Sequence, residues 1–319
     1  MKNLFNKSNA CWLAFIVFSY LLIAILIQTK LINNVYISVL MTIGINIILA
    51  IGLNLIIGIT GQFSLGHAGF MIIGAYSSGV LLLNFSKDLV GFMLGLVIGI
   101  VISAVVALIV AIPTLRLRGD YLAIATLGFG EIIRIVILNL KITNGAAGMI
   151  LPQVVNWQII FVAVVLCTIL VVNFTKSAPG RSCISIREDE IAAESMGINT
   201  TKYKILAFVI GAMIASVAGS LYAGSFYVIK PEMFTFNKSI DILVLVVFGG
   251  MGSYTGSYVS SFLISFINIA LQKISSIRTI IYGLALVIIM IFRPGGIFGM
   301  KEFTFSKFVA RFNSKGDHK

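Results

Sequence analysis

The chain has 319 residues, of which 59% are hydrophobic and only 11% are charged, and its mean hydropathy is +1.07. A water-soluble protein would be about a quarter charged, so this composition excludes the soluble classes and predicts an all-α polytopic integral membrane protein. The net charge of +12 could suggest a nucleic-acid partner. In a membrane protein, basic loops on the cytoplasmic side explain that charge better, and we expect no nucleic acid to bind.

Apolar runs near the roughly 20 residues that a helix needs to span a bilayer recur along the chain. They predict ten crossings within a single transmembrane domain of residues 1–319, placed near 10–28, 36–57, 64–84, 89–112, 121–138, 156–174, 204–226, 239–252, 257–274 and 277–292. Two glycine-rich breaks in this pattern lower the count to eight or nine if they are re-entrant elements.

The positions of the basic residues predict the orientation. With both termini in the cytoplasm, 15 lysines and arginines lie on the cytoplasmic side: Lys2, Lys7, Arg116, Arg118, Lys176, Arg181, Arg187, Lys202, Lys204 and six in a short basic tail at 293–319. Only seven lie outside: Lys30, Lys87, Lys141, Lys230, Lys238, Lys273 and Arg278. This excess follows the positive-inside rule.

The two breaks are Gly58–Gly69, read as GITGQFSLGHAG, and Gly249–Gly256, read as GGMGSYTG. Broken helices at membrane depth persist only where protein or a watery cavity covers the freed backbone groups. Both breaks are therefore predicted to be re-entrant elements or interrupted spans. His67 lies in the first break, where it is either a packed, hydrogen-bonded histidine or part of a path across the membrane.

Several polar and small residues lie within the predicted spans. Glu131 and Arg134 are three residues apart on one helix face, which favours a salt bridge but leaves a gate or pathway role open. Asn46 and Asn54 are expected to hydrogen-bond across helices. Two stripes of small residues predict close helix packing, within the chain or against a partner subunit: Gly91, Gly95 and Gly99, and Gly211, Ala215, Gly219 and Ala223.

The most polar stretch, Gly180–Lys204, carries eight of the chain's 34 charged residues. Ser185 and Glu188 have the spacing of a capping box, and Gly197 follows Met196 as a C-terminal cap glycine would. The pattern predicts one short capped helix of about three turns, displayed outside the bilayer. A solvated loop is the alternative, although most connections are far shorter.

The sequence does not indicate a metal site, a disulfide framework or a catalytic site. The three cysteines, Cys11, Cys167 and Cys183, lack the spacing of a metal site or a disulfide framework. No catalytic constellation stands out in the spans, so we expect a chain without enzymatic activity, metal or cofactor. On the external side, Lys230, Glu232 and Asp241 are either a docking site for a partner or part of a solvated loop.

Six separated motifs resemble one family, the LivM-type permease subunit of branched-chain amino acid ABC importers. They are GLNLIIGITGQFSLGHAGFMIIGAY (52–76), LRLRGDYLAIATLGFGEIIRI (115–135), TNGAAG (143–148), GRSCISIREDEIAAESMGI (180–198), the run 230–256 and RPGGIFG (293–299). The resemblance covers roughly residues 40–300, in the order of the family.

The resemblance implies a type II ABC-importer-like permease in a bacterial inner membrane. Its partners would be a second, LivH-type permease, two cytoplasmic ATPases and an external solute-binding protein, and its substrate a hydrophobic amino acid. The polar stretch then resembles the coupling helix, with Arg187, Glu188, Asp189, Glu190, Ala192, Ala193, Glu194 and Gly197 contacting the ATPase. Ile191 stands where the family signature E-A-A-x-x-x-G has its first glutamate. The chain has no Walker motif, so ATP would bind to another subunit.

Under this reading, we expect the translocation path to include Gly61, Gln62, Ser64, Gly66 and His67, with Glu131 and Arg134. Two alternatives stay open. One is an ABC permease for urea, amides or another small solute. The other is an ion-coupled secondary transporter acting alone, since discontinuous helices also suit such proteins.

Overall fold

The computed structural model describes residues 7–29, 33–115, 117, 119–270, 283–284, 287, 292, 295–297 and 299. In this part of the chain, the α-helices are α1 (Lys7–Gln28), α2 (Asn34–Asn54), α3 (His67–Asn84), α4 (Leu89–Thr114), α5 (Asp120–Asn139), α6 (Trp157–Lys176), α7 (Ala178–Glu188), α8 (Glu190–Ser195), α9 (Thr200–Ser225), α10 (Phe236–Gly249) and α11 (Tyr254–Ala270). A π-helical turn, Leu55–Ile59, extends α2.

Six of these helices are long and apolar enough to cross a membrane: α2 with its π turn, α3, α4, α5, α6 and α9. The predicted all-α polytopic fold is therefore confirmed. The inner layer consists of α2, α3 and α9. In the most apolar 18-residue stretch of each of these helices, 78%, 72% and 61% of the residues are buried. The outer layer consists of α4, α5 and α6, for which the figure falls to between 22% and 33%, so their exposed aliphatic side chains face outward as lipid contacts would.

The inner helices pack at very short range because small residues meet at their crossings. A Cβ atom at Gly219 of α9 would collide with the Met71 carbonyl of α3, and one at Gly74 of α3 would collide with the Ser216 carbonyl of α9. Gly95 of α4 approaches the Ser78 backbone in the same way. Both small-residue stripes therefore pack within the chain, as the intramolecular interpretation predicts.

The helices α10 and α11 are shorter, with 14 and 17 residues. At 1.5 Å per residue α10 is about 21 Å long, less than the ~30 Å of a hydrocarbon core. The amide of Phe236, the first residue of α10, donates to the Glu131 carboxylate of α5. Glu131 lies eight residues before the end of α5, which is about 12 Å along the axis of that helix. The helix α10 thus begins part of the way into the bundle. Most of the tenth predicted crossing, 277–292, lies outside the described residues.

The two ends of the bundle differ. At one end, β1 (Met149–Ile150) pairs antiparallel with β2 (Val228–Ile229), and this two-stranded ribbon joins the chain after α5 to the chain after α9. At the other end lie α7 and α8, which connect α6 to α9. We call these the ribbon end and the arm end, and we call residues 178–197 the polar arm.

Candidate functional site

The polar arm consists of two helices rather than one. The prediction that Ser185 begins a helix is wrong, since Ser185 lies inside α7 and its hydroxyl donates to the carbonyls of Arg181 and Ser182. The helix α7 starts earlier because Ser177 caps it, accepting from the Gly180 amide, and Pro179 suits a first turn. It ends at Asp189, whose extended backbone separates the two helices and whose carboxylate accepts from the amides of Ile191 and Ala192.

The arm is fixed to the rest of the chain at its far end as well. Gly197 has a φ of +83°, and the amides of Gly197 and Ile198 bond to the carbonyls of Glu194 and Ala193, a Schellman motif that confirms the predicted glycine cap. The side chain of Asn199 then caps α9. Lys204 of α9 reaches back to Glu190 of α8 with an N–O distance of 2.6 Å. Side chains thus cap the N-termini of α7, α8 and α9, and the ion pair between Lys204 and Glu190 ties the arm to α9.

One face of the arm packs inward. Cys183, Ile186 and Ala193 are buried, and burial raises the pKa of the Cys183 thiol to about 11. Ala193, which was predicted to contact the ATPase, is only 4% exposed and packs within the chain.

The opposite face of the arm is apolar at its centre and acidic around it. Ile191 is 72% exposed and Met196 is 83% exposed, although this helix lies outside the predicted spans. Ala192 and Glu194 are exposed beside them. Two large apolar side chains exposed on one short polar helix form a candidate contact surface for a partner protein.

Arg187, at the end of α7, joins the arm to the first glycine-rich break. Its guanidinium donates to the Gly58 carbonyl and also pairs with Glu188 at 2.7 Å. Gly58 lies in the π turn at the end of α2, where carbonyls lack partners within the helix and a cation is favoured by the helix dipole. Gly61 has a φ of +71° and packs against the aliphatic part of Arg187. The arm therefore caps α2.

Three glycine-containing turns meet beside this contact, and we call them the glycine junction: Gly58, Gly250–Gly252 between α10 and α11, and Gly295–Ile297. A Cβ atom on Gly58 would collide with the Gly252 amide, and one on Gly296 would collide with the Gly250 backbone. The Ile297 amide also bonds to the Phe248 carbonyl of α10 at 3.1 Å. Since Gly250 and Gly252 have positive φ angles, side chains are excluded there by conformation as well as by space.

Asn54 holds the junction together from inside the bundle. It is fully buried, and its amide nitrogen donates to the Ser253 carbonyl at 2.8 Å and to the Ser257 hydroxyl at 3.0 Å. Its amide oxygen accepts from the Gly252 amide at 2.7 Å. The expected bonding of Asn54 across helices is therefore present, and it ties α2 to the turn between α10 and α11.

We expect Asn54→Leu to destabilise the permease by about 2–4 kcal/mol, because it leaves the Gly252 amide and the Ser253 and Ser257 oxygens with lost bonds in a dry interior. The measurement is the thermal midpoint of the purified protein in detergent. Asn139→Leu is the control, since that asparagine is exposed and, among the described residues, its side chain donates to the Ile135 carbonyl of its own helix. Equal midpoints for the two variants would contradict this account of Asn54.

Several polar side chains are buried in the nonhelical stretch between the π turn and α3 and at the first residue of α3. Gln62 and Ser64 are 3% and 2% exposed, and neither polar atom of the Gln62 side chain has a hydrogen-bond partner among the described residues. The His67 ring, 1% exposed, approaches the Leu49 backbone without hydrogen-bond geometry. Gly66 packs against the Thr126 carbonyl of α5. An unpaired buried amide costs about 1–3 kcal/mol, so these groups suit water or a polar solute, and their place in a path stays a prediction.

Glu131 and Arg134 form the predicted salt bridge, with an N–O distance of 2.7 Å and side chains 29% and 20% exposed. The second carboxylate oxygen of Glu131 accepts from the Phe236 amide at 3.0 Å. This carboxylate therefore also holds the N-terminus of α10 against α5, where the helix dipole favours negative charge. The geometry supplies a structural role for the pair and leaves a role in the path untested.

For this pair we expect Glu131→Gln to lower stability by about 1–2 kcal/mol, less than the roughly 3–5 kcal/mol of a fully buried pair, because both side chains are partly exposed. The double variant Glu131→Gln, Arg134→Met should regain most of that loss, since no cation is left without a partner. Yield and thermal midpoint of the purified permease are the measurements. A double variant that is stable but transports nothing would instead assign the pair to the path.

The three residues of the predicted external docking site do not lie together in sequence or structure. Lys230 and Glu232 are exposed in the short turn between the ribbon and α10. Asp241 lies on α10 beside Asn46 of α2, with Lys238 one turn earlier. A docking role remains a prediction for Lys230 and Glu232.

Asn46 itself donates to the Ser265 hydroxyl of α11 at 3.3 Å, another of the expected bonds across helices.

Sequence reasoning missed several residues of this site. Ile191 was noted only as a departure from a motif, and Met196 only as the residue before a cap, whereas they are the most exposed apolar groups of the arm. The signal was available: two large apolar residues in a stretch with eight charges. The contact between Arg187 and Gly58, 129 residues apart, had no such signal.

These features define a multi-pass helical membrane protein with a polar arm between α6 and α9 that contacts the end of α2. The family model described as branched-chain amino acid transport system / permease component matches residues 35–292. The chain therefore belongs to that family, and the LivM-type assignment from the motifs is confirmed.

Among curated relatives, the LivM permease protein of the high-affinity branched-chain amino acid transport system from Salmonella typhimurium is 33% identical over 277 residues, covering 76% of this chain and 64% of that protein. LivM from Escherichia coli gives the same values. The LivH permease protein from Escherichia coli is 30% identical over 161 residues, covering 50% of this chain and 51% of that protein. The chain thus spans about two thirds or less of these relatives. No solved structure matches it significantly.

Proposed function

We propose that this chain is the membrane-spanning permease subunit of an ATP-driven importer for branched-chain amino acids. The observation that carries the proposal is the polar arm, whose two helices begin at the capping residues Ser177 and Asp189, which offers exposed apolar side chains and bonds directly to a glycine-rich break between spans. Family membership and the printed names of the relatives supply the substrate class. A transporter acting alone has no use for such an arm.

The proposed mechanism follows the contacts in order. ATP binding draws two ATPases together, and the arm, seated on one of them, moves with α6 and α9. Arg187 transmits this displacement to the Gly58 carbonyl. Asn54 and Gly58 pass it to the Gly252 turn, so that α10 and α11 shift against α2. The close-packed glycines make this junction respond to small displacements, because packed interfaces switch between arrangements rather than deform gradually.

The partners follow from the same proposal. A second, LivH-type permease would complete the path, and an external binding protein would deliver the solute at the ribbon end near Lys230 and Glu232. The arm end would then be cytoplasmic, as would both termini, in agreement with the excess of basic residues on that side. ATP hydrolysis would take place on the separate ATPases, with no enzymatic step in this chain.

Uptake into vesicles that contain the complete complex tests the substrate class. We expect ATP-dependent accumulation of leucine, isoleucine and valine, with competition among the three. Urea and acetamide, which represent the alternative permease class, should neither accumulate nor compete. Accumulation of urea or acetamide without leucine uptake would overturn the proposed substrate class while leaving the ATP-driven mechanism in place.

A further inference from the structure

A small polar cavity lies between α2, α10 and α11, away from the polar arm. Its volume is about 40 Å³, and its lining includes Lys238 and Asp241 of α10, Asn46 of α2 and Asn268 of α11. The rest of the lining is aliphatic and includes Ile242 and Ile264. A cation, an anion and two amides thus share one space with branched apolar side chains.

The cavity lies at mid-span. Asn46 is the twelfth of the 25 residues in the candidate span Val35–Ile59. The α10 side of the cavity lies at a similar depth. The helix α10 begins at the level of Glu131, about 12 Å from the end of α5, and Asp241 lies about a turn and a half further along α10. Ionisable side chains at such depth are costly and face the interior of a bundle or a watery path.

The lining matches a free α-amino acid. Such a molecule carries a carboxylate and an ammonium group on one carbon. Lys238 and Asp241 lie one helical turn apart and attract each other, and they offer one charged partner for each of these groups. The amides of Asn46 and Asn268 provide neutral donors and acceptors, and the isoleucines suit an aliphatic side chain. Asp241 is also exposed on its side of α10.

We propose that this cavity is an intramembrane binding site for the zwitterionic head of the transported amino acid. In this conformation it has room for about three water molecules, enough for a charged head group but not for a whole leucine. The aliphatic part would enter only when α10 and α11 shift with the glycine junction. The proposal rests on the proposed function and adds the place and the chemistry of substrate contact.

The first test measures ligand binding without transport. The full complex is purified without its binding protein, and its thermal midpoint is followed with increasing L-leucine up to the millimolar range. We expect a saturable rise for leucine and a half-saturating concentration about tenfold higher for leucinamide, which lacks the carboxylate, and for 4-methylpentanoate, which lacks the ammonium group. Lack of a rise with leucine in the unaltered complex would overturn the proposed site.

The second test uses variants and transport. Lys238→Met and Asp241→Asn should each raise the half-saturating leucine concentration about tenfold and reduce uptake similarly, while ATP hydrolysis stays near its normal rate. Lys238→Arg and Asp241→Glu should retain most of the binding. Lys87→Met and Asp88→Asn, which remove the same charges from an exposed loop, are the matched controls. Variants that bind leucine like these controls would overturn the site alone, whereas a complex that takes up no branched-chain amino acid would overturn the proposed function.

Discussion

Ile191→Arg is expected to reduce the amount of ATPase that co-purifies with the permease by about 10- to 100-fold. The isoleucine is 72% exposed on the outer face of the polar arm, where we expect an apolar anchor seated in a partner's groove to contribute about 1.4–2.8 kcal/mol. Arginine would place a charge in that groove without altering any span. Met196→Asp should act in the same direction, since that side chain is 83% exposed on the same arm.

The matched control is Ile150→Arg. Ile150 is 76% exposed, but it lies in β1 at the ribbon end, so the same substitution there should leave ATPase binding unchanged. Normal ATPase recovery with Ile191→Arg, or an equal loss with Ile150→Arg, would rule out the outer face of the arm as the docking surface.

Arg187→Met is expected to leave the ATPase bound and active while uptake falls at least tenfold. The substitution keeps much of the aliphatic contact with Gly61 but removes the donor to the Gly58 carbonyl, the direct bond between the arm and the end of α2. Hydrolysis would then continue without moving the glycine junction. The measurement is the number of leucine molecules taken up per ATP hydrolysed in vesicles.

Arg181→Met is the control for that experiment. Arg181 is exposed on the same helix and donates to the Lys176 carbonyl, close to it in sequence. Its loss removes the same charge from α7 without touching the junction. A normal ratio of uptake to hydrolysis with Arg187→Met would show that the arm transmits its motion by another route.

Local features of the fold could be predicted from the sequence because they depend on neighbouring residues. The two glycine-rich breaks interrupt helices as expected, and Gly197 caps the arm. The salt bridge between Glu131 and Arg134 follows from their spacing on one helix face. Membrane class and approximate spans follow from composition and apolar run length.

Other features depend on contacts between distant parts of the chain, which spacing does not encode. Ser185 had the spacing of a cap, yet Ser177 and Pro179 begin the helix earlier and Asp189 divides it. Ala193 fits the family motif, but only the structure shows that it packs within the chain, so that a larger side chain there would disturb the arm itself. For that reason Ile191 is the better position for testing the docking surface.

The meeting of the glycine turns was also beyond sequence reasoning. Gly58, Gly252 and Gly296 come from three separate motifs, and each motif alone predicts only a local turn. Their backbones approach closely in the structure because Asn54 bonds to the second turn and the third packs against Gly250.

The energy source of leucine uptake tests the central claim most directly. Vesicles would contain either this chain alone or the complete complex with its second permease, ATPases and binding protein, with ATP inside or outside and with or without sodium and proton gradients. The account predicts uptake only by the complete complex, only with ATP on the side of the polar arm, and without dependence on either gradient. Gradient-driven leucine uptake by this chain alone would contradict it.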